Sequence, residues 1–351
     1  MFAVDDLIRS RMQDALSKGL FDVRLRYSMH RDYDRFLREL DPWIQGLPFV
    51  CYELRSRLQT LDTRDVILYG EEKEIRRNRR VLDYSGLHAA ACCFSGEAPG
   101  QAGDLPVIRI DEMNTPAFSH ALVLTTSFQN RERDRMTLER AGVDPERICG
   151  VESGLNETAA SLPMQYFDVF RPGPSEVFLD AGAYDGQSSL DFLRWCGGRY
   201  RKIICLEPME ESLKLLRRRL AGTENVDIYP YAAWNRKETL QFHEDGSGSA
   251  AGSGGSLRVQ GIRLDELVQE PVTFLKMDVE GSERKALLGA SRLIRKYRPR
   301  MAISIYHKKQ DVLSIPLTLL RLVPEYRFWI RQYSPGLLEA VLYASTEAYP
   351  L

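Results

Sequence analysis

Asp180, Glu207, Asp278, Glu280 and His307 share one kind of position in this 351-residue chain: each stands at or just beyond the end of a short apolar run. Carboxylates and an imidazole in such places can accept bonds from sugar hydroxyls, hold a cation, or take up a proton. The first of them lies in Val177-Phe178-Leu179-Asp180-Ala181-Gly182-Ala183-Tyr184-Asp185-Gly186, where an apolar strand runs into a glycine-bearing turn and then a helix. That is the layout of a nucleotide-type cofactor site at the carboxyl end of a parallel strand.

The chemistry follows from the residue types. Gly182 and Gly186 lack Cβ, so the chain can turn tightly and a ligand can approach the backbone. The helix starting near Gln187 directs free N–H groups toward that ligand. A second run, Ile203–Leu206, ends in Glu207-Pro208, and a carboxylate at the tip of the second strand can accept from both hydroxyls of a ribose. Nicotinamide dinucleotides and S-adenosylmethionine (SAM) share this arrangement. The dinucleotide fingerprint wants glycine at the third position of G-x-G-x-x-G, whereas Tyr184 stands there and would crowd a pyrophosphate.

Candidates for proton transfer project from later strand tips. Asp278 and Glu280 follow Val272–Met277, and His307 follows Met301–Tyr306, at the edge where ligands bind in open α/β sheets. His307 has an unperturbed pKa suited to a base near neutrality, and Asp278 is equally suited to capping the next helix. Lys276 is expected to pair with Asp278 or Glu280. A metal on those two carboxylates lacks a third ligand placed by the sequence, so none is assigned. His30, His88, His120 and His243 have no comparable context and read as structural.

These tips require elements to position them, and the chain supplies enough apolar content for more than one core. Residues 1–60 read as helices, with Leu7, Ile8, Met12 and Leu16, then Phe36, Leu37, Leu40 and Trp43, at helical spacing. They are expected to pack and to offer a surface for a protein partner or self-association. Residues 61–150 read as a small α/β domain. Its glycine turn continues Glu71-Glu72-Lys73-Glu74, whose carboxylates would repel a phosphate, which favours a structural or partner-binding role. A linker at 154–158 and the breaker Arg171-Pro172-Gly173-Pro174 precede a domain over 160–351. Within it, a Gly/Ser-rich stretch at 245–255 reads as a lid or a hairpin tip, and Arg327–Gln332 and Leu338–Tyr343 read as a closing hairpin.

Composition narrows the setting. The 48 basic and 49 acidic residues leave no global field toward nucleic acid or anionic membrane. The six cysteines show no metal-type or disulfide-type spacing, which points to a reducing, cytoplasmic compartment. No signal peptide is read at the start, and no apolar run reaches bilayer length.

Taken together, VFLDAGAYDGQSS at 177–189, CLEPMEESL at 205–213, YPYAAWNRKETLQF at 229–242, FLKMDVEGSERKALLGA at 274–290 and RQYSPGLLEAVLYA at 331–344 resemble the FkbM family of SAM-dependent methyltransferases. The resemblance covers roughly the last half of the chain. It implies an α/β fold with a Rossmann-like seven-stranded methyltransferase sheet whose last strand is antiparallel, preceded here by helices and a smaller α/β domain. Upstream, the unit at 61–150 looks like the Rossmann-like domain preceding some FkbM enzymes, with an eroded glycine pattern. It implies methyl transfer to a hydroxyl of a sugar or small natural product. Carried over by position, Asp180, Gly182, Ala183 and Tyr184 line the methionine end of SAM, and Asp185 and Gly186 close the turn. Glu207 takes the ribose, Pro208 and Met209 lie against the adenosine, and Ala232 and Ala233 either continue the pocket or pack the sheet. Asp278, Glu280 and His307 are the catalytic candidates. An NAD-linked oxidoreductase and a non-catalytic binding protein on the same fold are the alternatives.

Overall fold

The computed structural model describes residues 2–44, 52–96, 104–127, 130–150, 165–242 and 257–347. The expected linker at 154–158, the Gly/Ser stretch at 245–255, Cys51, Met164 and His243 lie outside them. Two compact units emerge: residues 1–45 with 163–333 and 337–351, and residues 46–162 with 334–336.

Chain order begins with α1 (Phe2–Arg11), α2 (Ala15–His30) and α3 (Tyr33–Ile44), all in the larger unit. The smaller unit follows with α4 (Tyr52–Thr60), β1 (Val66–Gly70), α5 (Glu72–Tyr84), β2 (Ala89–Phe94), β3 (Leu122–Thr125), α6 (Arg131–Arg140) and β4 (Ile148–Gly150). Its strands form a parallel sheet in the order β2-β1-β3-β4. Alternation along β1 sends Val66 and Leu68 into one apolar cluster and Ile67 and Tyr69 into the other.

The larger unit continues with β5 (Glu176–Ala181), α7 (Gln187–Cys196), β6 (Tyr200–Leu206), α8 (Glu210–Arg219), β7 (Val226–Tyr229), β8 (Ala232–Ala233), β9 (Glu238–Phe242) and β10 (Leu257–Ile262). It ends with α9 (Leu264–Leu267), β11 (Phe274–Met277), α10 (Glu283–Gly289), α11 (Ser291–Tyr297), β12 (Arg300–Ser304), α12 (Asp311–Leu322), β13 (Arg327–Gln332) and β14 (Ala340–Ser345). Seven strands form one sheet in the order β13-β14-β12-β11-β5-β6-β7, in which β14 runs antiparallel to both its neighbours. The closing hairpin therefore reverses the last strand, as the resemblance implies. The order also turns around at β5 and β11, so the carboxyl ends of β5, β6, β11 and β12 share one edge. Aromatic packing fixes the centre of this unit: Phe178 and Phe192 stack at 4.4 Å, and Phe167 packs against both and against Phe274.

The expected helical region at 1–60 does not stand as one piece. Helices α1 to α3 join the larger unit, because Ile8, Met12, Leu20, Phe21, Phe36 and Leu40 are buried there, while α4 joins the smaller one. The first helices also close the free edge of β13. Gln13 N–H donates to Phe328 O (3.0 Å), Ile330 N–H donates to Ser17 Oγ (2.9 Å), and Arg331 pairs with Asp14 at 2.9 Å. An edge strand so covered cannot pair with another chain. Cys92, Cys93, Cys149, Cys196 and Cys205 are free and buried. Among the described residues no helix is long and apolar enough to cross a membrane.

Candidate active site

Every strand tip singled out above ends at the shared edge, and the backbone there is tightly interlocked. Gly182 has φ +80°, and a Cβ on it would lie 1.7 Å from the carbonyl oxygen of Asp278. The turn after β5 therefore touches the turn after β11 backbone to backbone, which only glycine permits. Gly186 has φ +87°, and a Cβ there would come within 2.8 Å of Leu216 on α8. Between them Tyr184 adopts φ +47° and is 46% exposed. Ala183 is buried, and Asp185 accepts from Gln187 N–H (3.1 Å) and pairs with Arg219 (2.6 Å), fixing the start of α7.

Asp180 is fully buried. Its Oδ2 accepts from Ser188 Oγ (2.6 Å) and Ser189 Oγ (2.9 Å), and its Oδ1 lies 3.2 Å from Lys276 Nζ. Lys276 also donates to Gly182 O at 2.5 Å and sits 5.2 Å from the centre of the Tyr166 ring. Lys276 thus pairs with Asp180 rather than with Asp278 or Glu280 as the sequence led us to expect. The register explains it: Lys276 and Asp180 are directly opposed on β11 and β5, on the same face, whereas Asp278 lies past the strand end.

Glu207 is 5% exposed, and its two oxygens accept from Tyr184 N–H (2.9 Å) and Met209 N–H (2.8 Å). Burial raises its pKa, against the two backbone bonds that favour the anion. Each oxygen retains a second acceptor site. Pro208 and Met209 are half-buried beside it. Ala232 and Ala233 are buried in β8, in a small sheet of order β8-β10-β9, where Ala232 packs with Trp234, Leu240 and Val259 and Met209 leans on the same cluster.

At the neighbouring tips, three catalytic candidates converge. His307 Nε2 lies 3.2 Å from Glu280 Oε2 and 3.4 Å from Asp278 Oδ1, while its Nδ1 lies 2.9 Å from Glu283 Oε1. Asp278 Oδ2 accepts from the hydroxyls of Tyr166 (2.8 Å) and Tyr306 (3.4 Å). Glu283 is fully buried and accepts from Val279 N–H and Gly281 N–H, so the turn that carries Asp278 and Glu280 also holds the partner of His307. Burial opposes charge on the imidazole, but Glu280, Glu283 and Asp278 outweigh it and push its pKa up to about 11. With only a proton to balance these carboxylates, the ring favours its charged form. The expectation of a neutral base rested on an unperturbed imidazole. Glu339, bonded to Gln165 (2.6 Å), is raised to about 6 by burial and by the charge of Asp278.

Sequence reasoning passed over Glu283, Glu339 and Tyr166 as members of this cluster. Glu283 carried a usable signal, an acid in the first turn of the helix after Asp278-Val279-Glu280-Gly281. Tyr166 lies 112 positions from Asp278, and only the topology brings them together.

An open α/β sheet with its ligand edge at the order reversal and a reversed strand beside the far edge defines a methyltransferase-type fold. Residues 180–333 match the Methyltransferase FkbM domain. Among solved structures, the methyltransferase FkbM from Methylobacillus flagellatus KT is 19% identical, covering 90% of this chain and 100% of that one with a TM-score of 0.49. An rRNA methylase from Streptococcus thermophilus is 17% identical over 51% of this chain and 90% of that one, with a TM-score of 0.33. Aeropyrum pernix fibrillarin, solved with bound SAM, is 14% identical over 54% and 70%, with a TM-score of 0.33. No curated protein matches the chain.

Proposed function

We propose that the larger unit transfers a methyl group from SAM to a hydroxyl of a sugar or small natural product. The observation that carries this reading is the nearly buried Glu207 carboxylate, held by Tyr184 N–H and Met209 N–H beside the glycine turn that ends β5, the strand lying between β6 and the tips that carry Asp278, Glu280 and His307. The residues fit the cofactor: each Glu207 oxygen keeps an acceptor site for a ribose hydroxyl, and Gly182 and Gly186 let the turn beside it take left-handed conformations. Gly182, Ala183, Tyr184, Asp185 and Gly186 form the turn against it, Pro208 and Met209 flank the adenosine, and Ala232 and Ala233 back the wall that Met209 leans on. Asp180, through Lys276, Ser188 and Ser189, is a positioning residue for that turn.

SAM, when bound, supplies a methyl group already activated on a sulfonium. What remains for the protein is alignment and removal of the hydroxyl proton. Asp278 and Glu280 provide carboxylates for that proton, and His307 orients both. Equilibrium binding of SAM and NAD to the full chain tests the reading: saturable SAM binding that Glu207→Ala weakens is expected. Tight NAD binding without SAM would replace it with an oxidoreductase, and binding of neither would leave a non-catalytic protein on this fold.

A further inference from the structure

We propose that Asp278, Glu280 and His307 form a binding site for one divalent first-row metal ion at the acceptor side of the candidate active site. One ligand atom from each of the three can be chosen so that all lie within 4.8 Å of one another. The separations from His307 Nε2, 3.2 Å to Glu280 Oε2 and 3.4 Å to Asp278 Oδ1, are those of atoms sharing one small cation. Ligands at about 2.1 Å from a metal are about 3.0 Å apart at a right angle and about 3.4 Å apart at the tetrahedral angle.

A second observation is independent of the spacing. His307 Nε2 and Asp278 Oδ1 are both buried without an aligned hydrogen bond, and the His307 side chain is only 10% exposed. Buried polar atoms are normally satisfied, and two that face each other across 3.4 Å call for a shared partner. The ring is also oriented as a metal ligand is. Its other nitrogen lies 2.9 Å from Glu283 Oε1, and Glu283 is itself fixed by Val279 N–H (3.1 Å) and Gly281 N–H (3.2 Å). A carboxylate behind the far nitrogen of a ligating histidine sets the tautomer and turns the near nitrogen toward the ion. Glu280 reaches the site from a left-handed conformation, φ +51°, followed by Gly281 at φ +83°. Such backbone strain persists where the surroundings demand it.

Neighbouring lysines do not fill the role. Lys276 is committed to Asp180 and Gly182 O, and Lys308 to Gly281 O. One imidazole nitrogen and two carboxylate oxygens suit Mn²⁺, Fe²⁺, Co²⁺ or Zn²⁺ better than Ca²⁺, which takes six to eight oxygens. The role of the ion rests on the proposed methyl transfer. A hydroxyl oxygen coordinated to it would ionise more readily, its proton passing to the oxygen of Asp278 or Glu280 that does not bind the ion, and the hydroxyl oxygen would be held at the edge that faces the cofactor turn.

Binding itself needs neither SAM nor an acceptor, so it can be tested apart from the methyltransferase reading. Full-length protein is stripped with a chelator, dialysed, and titrated with Mn²⁺ by electron paramagnetic resonance and with Co²⁺ by visible absorption. One saturable ion per chain is expected, with a Co²⁺ absorption band of a nitrogen-containing site. Glu280→Gln and His307→Gln should each weaken binding by at least about tenfold, and Glu283→Gln by about tenfold with unchanged stoichiometry. Glu280 is about one-third exposed, so the isosteric Glu280→Gln keeps the fold, which its unfolding midpoint verifies. No saturable binding by the wild type, or the same affinity in folded Glu280→Gln, overturns the site.

Discussion

Removing the ammonium of Lys276 should destabilise the larger unit and loosen the cofactor turn together. Lys276 is 4% exposed and faces the fully buried Asp180 across 3.2 Å. Burial opposes its charge, yet Asp180 and Asp278 more than compensate and raise its pKa. Lys276→Met keeps the length of the side chain but leaves the Asp180 charge with only two hydroxyl donors and Gly182 O without its side-chain donor. Breaking a buried ion pair from one side costs about 3–5 kcal/mol, because the remaining charge stays desolvated. All four tryptophans, Trp43, Trp195, Trp234 and Trp329, lie in the larger unit, so urea unfolding followed by tryptophan fluorescence reads that unit alone. Asp180→Asn combined with Lys276→Met removes both charges while keeping an acceptor for Ser188 and Ser189. The double variant should recover about 1–3 kcal/mol relative to the sum of the single changes. SAM affinity should fall in Lys276→Met and return in part in the double variant. Strict additivity, or a single-variant cost below about 1 kcal/mol, would show that the pair is not what holds the turn.

Gly182→Ala should destabilise the same unit by more than about 2 kcal/mol, combining left-handed strain of about 1–2 kcal/mol with a collision against Asp278 O; the urea midpoint measures it. Glu207→Ala should raise the SAM dissociation constant about 10- to 100-fold in calorimetry, since a charged hydrogen bond contributes about 1.5–3 kcal/mol. His307→Ala should leave SAM affinity within about twofold while lowering turnover, and unchanged turnover would remove His307 from the acceptor chemistry. Asp14→Ala removes the bond to Ser17 N–H (2.6 Å) and the Arg331 pair, at a cost of about 2–4 kcal/mol. The Asp14 pKa is lowered from 3.8: burial would raise it, and Arg331 and Ser17 outweigh that. Its contribution is therefore complete above that value and lost as pH falls through the lower folded pKa. The wild type and Asp14→Ala should converge in stability in acid, and a gap that persists there would assign the effect to packing instead.

Strand positions were legible where burial on both faces leaves apolar runs: β6 and β11 end with the runs at 203–206 and 272–277 that the sequence places there. The short strands β4 and β8 were not, since two or three residues carry no period. Tip residues were readable by the same logic, because a charge after an apolar run must sit at a sheet edge. Their partners were not. The choice of Lys276 for Asp180 depends on strand register, and the contact of Tyr166 with Asp278 depends on chain crossings that no local pattern records. The N-terminal helices show the same limit. Their apolar faces were plain, but the surface they cover, the edge of β13, is more than 300 residues away.

The interlock at Gly182 bears on how donor and acceptor could be aligned. The turn that would hold the cofactor and the turn that carries Asp278 and Glu280 meet at backbone contact distance, and Lys276 ties Gly182 O to Asp180 beneath them. Glu283 then ties the second turn to His307 on the next strand. Both turns thus form one rigid edge rather than two loops set independently. In-line transfer to a positioned oxygen gains most from fixed relative placement of its two sides, since an ångström of misplacement can cost a hundredfold in rate. On this view the buried charges at the sheet edge serve geometry before chemistry. Asp180 and Lys276 set the donor side, Glu283 sets the acceptor side, and Gly182 is the point where the two are joined.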